Sequence, residues 1–425
     1  MNKYFYKCFN CSSQFTADEI ESEGSFGKER IYLCPKCGQA EKNQPLKGVL
    51  LVEYDYENLK RSRSRDEFLK IPCGKFWRYS DLWPIRSFEK IIPQSKLERI
   101  SLTHDPLLEF DYTGRKIFVF DDTRNPTLSY KDRATSLVVL KAIELGINEI
   151  AAASTGNAGS SLAGICARLG LKSHIFVPEN IPSAKRIQIQ SFGANLYLVK
   201  GDYDQAFDLC LEISRMKNWY NRNTAYNPMT IEGKKSAAFD IFISMKGIIP
   251  DKIFVPVGDG VIISGLYKGF TELLKLGWIE KLPQLIAVQA EGSNAIVRYV
   301  QTGKFEYQPA STIADSIHAG APRNLYMAAH AVTTSLGTAI SVSDEEILSA
   351  QKSIAQNFGI IAEPSSAASF AGYEKFVRSG SISANENVLL MLTGNGLKDT
   401  SALSKWNDEP VSKSTDEWKK LFLSE

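Results

Sequence analysis

The stretch "NEIAAASTGNAGSSLAGICARLG", residues 148–170, places a short apolar strand, a loop of small residues and an Ala-rich helix in succession. The same alternation continues along most of the chain. Further apolar strands are predicted in "KIFVFDD" (116–122), "KSHIFVP" (172–178), "KIFVPVG" (252–258), "QLIAVQA" (284–290) and "VLLMLTG" (388–394). Strands that alternate with helices of about 10–15 residues are typical of parallel sheets covered by helices on both faces. The sequence therefore predicts an α/β fold.

The composition is that of a soluble globular protein. Hydrophobic residues make up 44% and charged residues 23% of the 425 residues, a length that predicts two or three packed units. The formal net charge of +2 creates no global field that would recruit nucleic acid or anionic lipid, so we expect neither as a partner. No apolar run reaches the ~18 residues of a membrane span, and "MNKYFYKCFNC" (1–11) lacks a secretory h-region, so we expect a cytoplasmic protein.

Two C-x-x-C pairs near the start indicate a structural metal site. Cys8 and Cys11 in "CFNC" are separated by 22 residues from Cys34 and Cys37 in "CPKCG". Two such turns can supply four thiolates to one tetrahedral Zn²⁺ ion. The alternative is a ribbon that keeps its shape without metal. In both cases the role is structural, because protein groups would fill all four ligand positions.

Four loops rich in glycine or small polar residues lie beside the predicted strands, at 123–133, 154–159, 258–265 and 393–399. In open α/β sheets, ligands bind at the carboxyl ends of the strands. Gly258 and Gly260 leave backbone amides open to a ligand just before a helix begins, which favours a phosphate group.

Three side chains in these loops have the chemistry that one cofactor requires. Lys131 carries the amine that forms a Schiff base with an aldehyde, and Thr393 follows an apolar strand, where its hydroxyl could meet a ring nitrogen. Asn157 offers an amide to a phenolic oxygen. A lysine, a phosphate cradle, an amide and a hydroxyl are together what pyridoxal 5′-phosphate (PLP) needs.

The motifs also resemble, in order, those of the threonine synthases, which belong to the tryptophan-synthase-β-like, fold-type-II family of PLP enzymes. The resemblance runs from about residue 105 to 400 and rests on "NPTLSYKDRA" (125–134), "STGNAG" (154–159), "NPMTIEGKKS" (227–236), "PVGDGVIISG" (256–265), "EPSSAAS" (363–369) and "LTGNGLKD" (392–399). A zinc-ribbon-like start also occurs in some relatives of these enzymes. The resemblance implies two three-layer domains with parallel sheets that face each other across a PLP cleft.

The resemblance also implies roles for individual residues. Lys131 would hold PLP as an internal imine and move protons once substrate displaces it. Asn157 would bond to the 3′-oxygen of PLP, and Thr393 would face its pyridine nitrogen. The phosphate of PLP would be held by the amides of Gly258, Asp259, Gly260, Val261 and Ile262. The amino-acid substrate would be bound through Ser154, Thr155 and Lys185. The implied reaction converts O-phospho-L-homoserine and water to L-threonine and phosphate.

Several positions depart from the threonine synthase pattern. Thr230 stands where these enzymes have an arginine that helps to hold the substrate phosphate, and Lys234 stands where they have a glutamine. Because an arginine fork binds phosphate better than a hydroxyl does, other functions stay open. One is a related PLP enzyme, either cysteate synthase, which uses phosphoserine and sulfite, or a threonine or diaminopropionate deaminating lyase. Another is a zinc-ribbon binding module with an inactive PLP-like scaffold.

The pattern of elements predicts how the chain is divided. A zinc-ribbon-like segment covers 1–42 and a linking region 43–114. The large PLP-binding domain covers 115–149 and 236–405, and a small mobile α/β domain covers 150–235. A tail covers 406–425. We expect a homodimer from the resemblance alone.

Overall fold

The computed structural model describes residues 3–22, 30–86, 88, 92–154, 156–179, 181, 183–201 and 203–423. Within these residues the strands are β1 Tyr4–Cys8, β2 Gln14–Thr16, β3 Leu50–Tyr54, β4 Leu107–Tyr112, β5 Arg115–Asp121, β6 Glu149–Ala153, β7 Lys172–Pro178, β8 Asn195–Val199, β9 Tyr220–Asn221, β10 Lys252–Pro256, β11 Gln284–Ala290, β12 Thr338–Val342 and β13 Val388–Leu392.

The α-helices in the described part of the chain are Ala17–Glu21, Tyr56–Ser62, Arg65–Phe68, Gln94–Leu97, Lys131–Glu144, Asn157–Leu169, Ser183–Ser191, Tyr203–Lys217, Met229–Lys234, Ser236–Ser244, Val261–Lys275, Ala295–Thr302, Leu325–Thr334, Asp344–Phe358, Pro364–Arg378, Thr400–Leu403 and Thr415–Leu423. Among the described residues, none of the helices combines the length and the apolar character that crossing a bilayer requires.

The strands form two parallel or mostly parallel sheets and one antiparallel sheet. The largest sheet has the order β12-β11-β10-β13-β5-β4, and its neighbours are parallel except for the antiparallel pair of β4 and β5. The second sheet is parallel throughout, in the order β8-β7-β6-β9. The fold is therefore α/β, as the sequence predicts.

The central strands are buried on both faces because helices cover both sides of the sheet. Every residue of β10 and of β13 is buried, and both strands are continuous apolar runs apart from Lys252 and Pro256. Such runs cannot face water on either side, so they take the interior places of a helix-covered parallel sheet. Because β5, β10 and β13 are parallel, the loops that follow them lie at the same edge of the large sheet.

The N-terminal region packs against the rest of the protein. The third sheet, in the order β2-β1-β3, is antiparallel, and β3 lies within the predicted linking region. The Tyr54 hydroxyl at the end of β3 donates a buried hydrogen bond to Glu232, at 2.7 Å. Farther on, Tyr79 and Trp83 pack their rings against Phe239. Residues 43–114 thus contribute core side chains, while the domain limits themselves stay predictions.

Candidate active site

Two adjoining cavities lie at the carboxyl ends of the parallel strands. The larger has a volume of about 470 Å³ and the smaller a volume of about 50 Å³. Lys131, Thr224, Asp259 and Ser316 line both cavities, so the two form one continuous cleft. A cleft at the strand ends is the usual ligand-binding place of an open α/β sheet.

Lys131 is the first residue of its helix, and the two residues that follow it fix that helix in place. Asp132 accepts hydrogen bonds from the hydroxyls of Thr127 and Ser161, both at 2.6 Å. Arg133 is fully buried and pairs with Asp122 and Asp240, each at 2.6 Å. These contacts join the start of the helix to three other parts of the chain, so Lys131 enters the cleft from a rigid support.

Charges around the cleft tune the Lys131 amine. Burial lowers the pKa of Lys131 below its ordinary value, and the positive charge of Arg222 lowers it further. The carboxylates of Glu363 and Asp259 act in the opposite direction. A lysine with a lowered pKa has a larger neutral fraction near neutral pH, and the neutral amine is the form that attacks an aldehyde.

The loop after β10 is built for close approach of a ligand. Gly260 has φ +86°, in the left-handed region, and caps the helix Val261–Lys275. A side chain at Gly258 would place its Cβ 2.8 Å from Ile317 Cα. Residues 256–263 line the smaller cavity. The first amides of a helix and its dipole favour an anion at this position.

Lys234 brings a second amine into the smaller cavity. Its side chain is buried, and its Nζ makes no hydrogen bond with any described residue. Burial, together with Arg222 and Lys131, lowers the pKa of Lys234 well below its ordinary value, while Asp259 raises it.

Asn157 begins the helix Asn157–Leu169 and meets an acidic residue that sequence reasoning gave no role. Its Nδ2 donates to Ser316 Oγ at 3.0 Å and to Glu363 Oε2 at 2.9 Å. Its Oδ1 is buried and has no partner within the described residues. To donate to a cofactor oxygen, as predicted, Nδ2 would exchange one of these partners. The signal for Glu363 in the sequence is its place as the lone acid of "EPSSAAS", directly before a proline that begins a helix.

Thr393 follows β13 and lines the smaller cavity, as its position in the sequence predicts. Its backbone N–H donates to Ser366 Oγ at 3.0 Å, and the two side-chain hydroxyls lie 3.3 Å apart. Its carbonyl accepts from the N–H of Tyr130 at 2.9 Å. The backbone of Thr393 is therefore hydrogen-bonded to the residue directly before Lys131.

The predicted substrate residues surround the larger cavity to different degrees. Ser154 lines that cavity, whereas Thr155 lies outside the described residues. Lys185 is not a lining residue, but it forms an ion pair with Asp315, which is one. A Cβ at Gly156 would lie 4.0 Å from the Lys185 Nζ, so this amine stands just behind the cavity wall.

Thr230 does not replace the arginine that the resemblance leads one to expect. Its hydroxyl donates to the Asn227 carbonyl at 2.7 Å and accepts from the Ala225 N–H at 3.2 Å. Both hydrogen bonds of this hydroxyl are thus made to the nearby backbone of residues 225–227. Cations do line the larger cavity, however, at Arg222 and Arg323.

The four predicted metal ligands lie together near the N-terminus. The Sγ atoms of Cys8, Cys11, Cys34 and Cys37 all lie within 4.8 Å of one another. The Sγ atoms of Cys8 and Cys37 are 3.4 Å apart, and those of Cys11 and Cys34 are 3.6 Å apart. Thiolates on a tetrahedral zinc ion, with Zn–S bonds of about 2.3 Å, are about 3.8 Å apart. The cluster therefore has dimensions that suit Zn²⁺.

The cleft residues fit PLP. The amine of Lys131 lies at the junction of the two cavities, and the smaller one combines glycine-flanked amides with the unpartnered, buried Nζ of Lys234. An amine for the aldehyde and an amide-lined recess for a phosphate are the two features that this cofactor demands.

Comparisons with known proteins agree with this geometry. Residues 101–394 match the family described as pyridoxal-phosphate dependent enzyme. The threonine synthase of Methanocaldococcus jannaschii is 35% identical over 95% of this chain and 95% of its own. That of Methanosarcina acetivorans is 35% identical over 96% of this chain and 95% of its own.

Solved structures show the same fold at lower identity. The processed form of threonine deaminase isoform 2 from Solanum lycopersicum has a TM-score of 0.61 and 20% identity, covering 74% of this chain and 88% of its own. This likeness concerns the fold alone. The family match covers most of the chain, and the two relatives are similar over nearly all of it. The chain therefore belongs to the pyridoxal-phosphate dependent enzymes.

Proposed function

We propose that this PLP enzyme is a threonine synthase, which converts O-phospho-L-homoserine and water to L-threonine and phosphate. The observation that carries the proposal is the position of Lys131, which lines both cavities. The smaller cavity has the amides that suit a phosphate, and the larger one is lined by Arg222 and Arg323. A cofactor phosphate and a phosphorylated substrate need two such places. The similarity to two threonine synthases over nearly the whole chain supports the same reaction.

The chain's own residues would divide the work between binding and proton transfer. When bound, PLP supplies an electron sink for the charge that develops at the substrate Cα. The neutral Lys131 amine would attach the cofactor and, once released, carry protons between substrate carbons. Ser154 and the first amides of the helix Asn157–Leu169 would bind the substrate carboxylate, since a helix N-terminus favours an anion. Arg222 and Arg323 line the larger cavity, and with Lys185 behind its wall they are the candidate cations for the substrate phosphate.

The inward-turned hydroxyl of Thr230 favours a second candidate within the same family. Without an arginine at this position, the substrate phosphate must bind elsewhere than in the threonine synthases that have one. A β-replacement enzyme that acts on phosphoserine and sulfite would also keep a phosphate site while changing its distance from Cα.

The test is product formation from O-phospho-L-homoserine by the PLP-loaded protein. We expect threonine and phosphate in equal amounts from the wild type and neither from Lys131→Ala. Lys131→Arg is a second variant, because it keeps a long basic side chain but cannot bond to the aldehyde; we expect it to be inactive too. Phosphate without threonine, or no product alongside turnover of phosphoserine with sulfite, would contradict the proposal.

We further propose that the four-cysteine cluster holds one structural zinc ion, on the strength of its thiolate spacing. The homodimer and the cytoplasmic location stay predictions. Light scattering of the purified protein would test the former, and fluorescence microscopy of a tagged chain the latter.

A further inference from the structure

Lys234 is a buried amine that the proposed reaction does not use. Its side chain is 1% exposed, and its Nζ has no hydrogen-bond partner among the described residues. Neighbouring Lys235 is also buried, but it is paired with two carboxylates: its Nζ lies 2.6 Å from Glu232 and 2.9 Å from Glu272. Without such partners the ammonium form of Lys234 is costly, and an anion that binds beside the amine would favour that form.

The Lys234 side chain begins beside the helix Val261–Lys275, whose preceding loop lines the smaller cavity. A Cβ added at Gly265 would lie 2.7 Å from Lys234 Cβ, so the two backbones are in close contact. Gly265 is in the second turn of the helix Val261–Lys275, whose first residues line the smaller cavity together with Lys234. The lysine stem thus starts beside that helix, and its side chain shares the recess with the helix N-terminus.

The charges near this recess are predominantly positive. Lys131 and Arg222 both lower the pKa of Lys234, which means that they lie close enough to repel its charge. Asp259 is the carboxylate that acts in the opposite direction. Arg222, the helix N-terminus and the two amines against one acid provide an environment for a doubly charged anion, which would favour the ammonium form of Lys234.

We propose that Lys234 binds a phosphate monoester dianion in the smaller cavity, opposite the amides of residues 258–262. The inference rests on the proposed function only in naming PLP as the molecule that carries this phosphate. In that place, the phosphate dianion would favour the ammonium form of Lys234, which would then add a charge to a site that otherwise depends on backbone dipoles. The threonine synthases that this chain resembles have a glutamine at this position. The lysine is therefore a feature of this chain's own sequence.

The first experiment measures phosphate binding without any reaction. Inorganic phosphate is titrated into the cofactor-free protein and followed by calorimetry and ³¹P NMR. We expect Lys234→Met and Lys234→Gln to bind it at least tenfold more weakly than the wild type. Lys352→Met is the matched control, because it removes an exposed lysine from the helix Asp344–Phe358, and it should bind as the wild type does. Equal affinity in all four proteins overturns the proposal.

A second arm assigns the phosphate to cofactor or substrate. PLP and pyridoxal, which lacks the phosphate, are bound separately to the wild type and to both Lys234 variants. A loss of at least tenfold for PLP, with unchanged affinity for pyridoxal, supports the proposal. Equal losses for both ligands, or a loss confined to a phosphorylated amino acid added to the PLP-loaded protein, overturn it.

These readouts separate the two proposals. Failure of the threonine assay with a normal PLP-to-pyridoxal difference would reject the proposed substrate and leave the role of Lys234 intact. Thermal unfolding of each variant checks that the protein is folded before its affinity is compared.

Discussion

At the scale of the residue, the charged side chains around Lys131 have opposing effects on its pKa. Burial and Arg222 favour its neutral form, whereas Glu363 and Asp259 favour its ammonium form. Glu363 also accepts from Asn157 Nδ2 at 2.9 Å, so this one carboxylate is connected to two of the predicted cofactor residues. The balance sets how much nucleophilic amine is present at a given pH.

Removing the Glu363 charge should speed the attachment of PLP near neutral pH. Only neutral Lys131 attacks the aldehyde, and its pKa lies below the ordinary 10.5, so the attachment rate should rise with pH and level off above that lowered pKa. Glu363 raises the pKa of Lys131, hence Glu363→Gln should shift the midpoint to lower pH. Stopped-flow absorbance of the cofactor-free protein mixed with PLP across the pH range measures this midpoint. An unchanged or higher midpoint would contradict the assigned sign.

Some of these residues could be predicted from the sequence and others could not. Lys131, Gly258 and Thr393 follow or flank strands, and parallel strands gather their carboxyl ends at one edge, so their proximity is expected. Glu363 and Arg222 reach the same place from distant parts of the chain, through packing that no local pattern encodes. The roles of all of them stay predictions until they are tested.

At the scale of the element, the loop into the helix Val261–Lys275 depends on one glycine. Gly260 has φ +86°, and a Cβ there would lie 2.6 Å from Ala328 Cβ. An alanine would therefore strain the backbone and collide with a neighbouring helix. The amides predicted to bind phosphate would move with it.

Gly260→Ala should lower both the free energy of unfolding and the affinity for PLP. Left-handed backbone alone costs a non-glycine residue roughly 1–2 kcal/mol, and the collision adds to this. Gly277→Ala is the matched control, since Gly277 has φ +72° with no atom within 4 Å of the added Cβ. We expect the control to lose about 1–2 kcal/mol while binding PLP normally. Chemical denaturation and PLP titration measure the two effects, and equal behaviour of both variants would refute the explanation.

Elements were easiest to predict from the sequence where they are most deeply buried. The interior strands β10 and β13 are apolar runs, and the sequence predicts both. Strands β4 and β12 lie at the two edges of the same sheet, where β4 has no buried residue and β12 only two. Edge strands need less apolar surface, so their pattern is weak.

At the scale of the whole molecule, the N-terminal region reaches the mouth of the cleft. Arg323 Nη1 donates to the carbonyls of Glu41 and Gln44, both at 3.2 Å, and Leu46 N–H donates to the Arg323 carbonyl at 3.1 Å. Asn43, between these contacts, lines the larger cavity. The segment that follows the cysteine cluster therefore forms part of the wall of the larger cavity.

Breaking the cysteine cluster should affect stability and substrate binding together. We expect Cys34→Ser to lose its zinc, to unfold at lower temperature and to show a raised KM, because residues 41–46 would lose their anchor. Cys73→Ser changes a cysteine outside the cluster and should keep its metal. Elemental analysis, thermal unfolding and steady-state kinetics provide the comparison. A wild-type protein without zinc, or a Cys34→Ser variant with normal KM, would contradict this prediction.

The two residues before Lys131 contact Thr393 and Gly394, which are made much later during synthesis, and this delays the formation of the site. Tyr130 N–H bonds to the Thr393 carbonyl at 2.9 Å, and Ser129 pairs with Gly394. Translation proceeds at about 5–20 residues per second, so the lysine leaves the ribosome tens of seconds before its partners exist. A nascent chain halted before residue 393 would hold the lysine without its pocket. Capture of the coloured cofactor would therefore mark the completion of folding rather than its beginning.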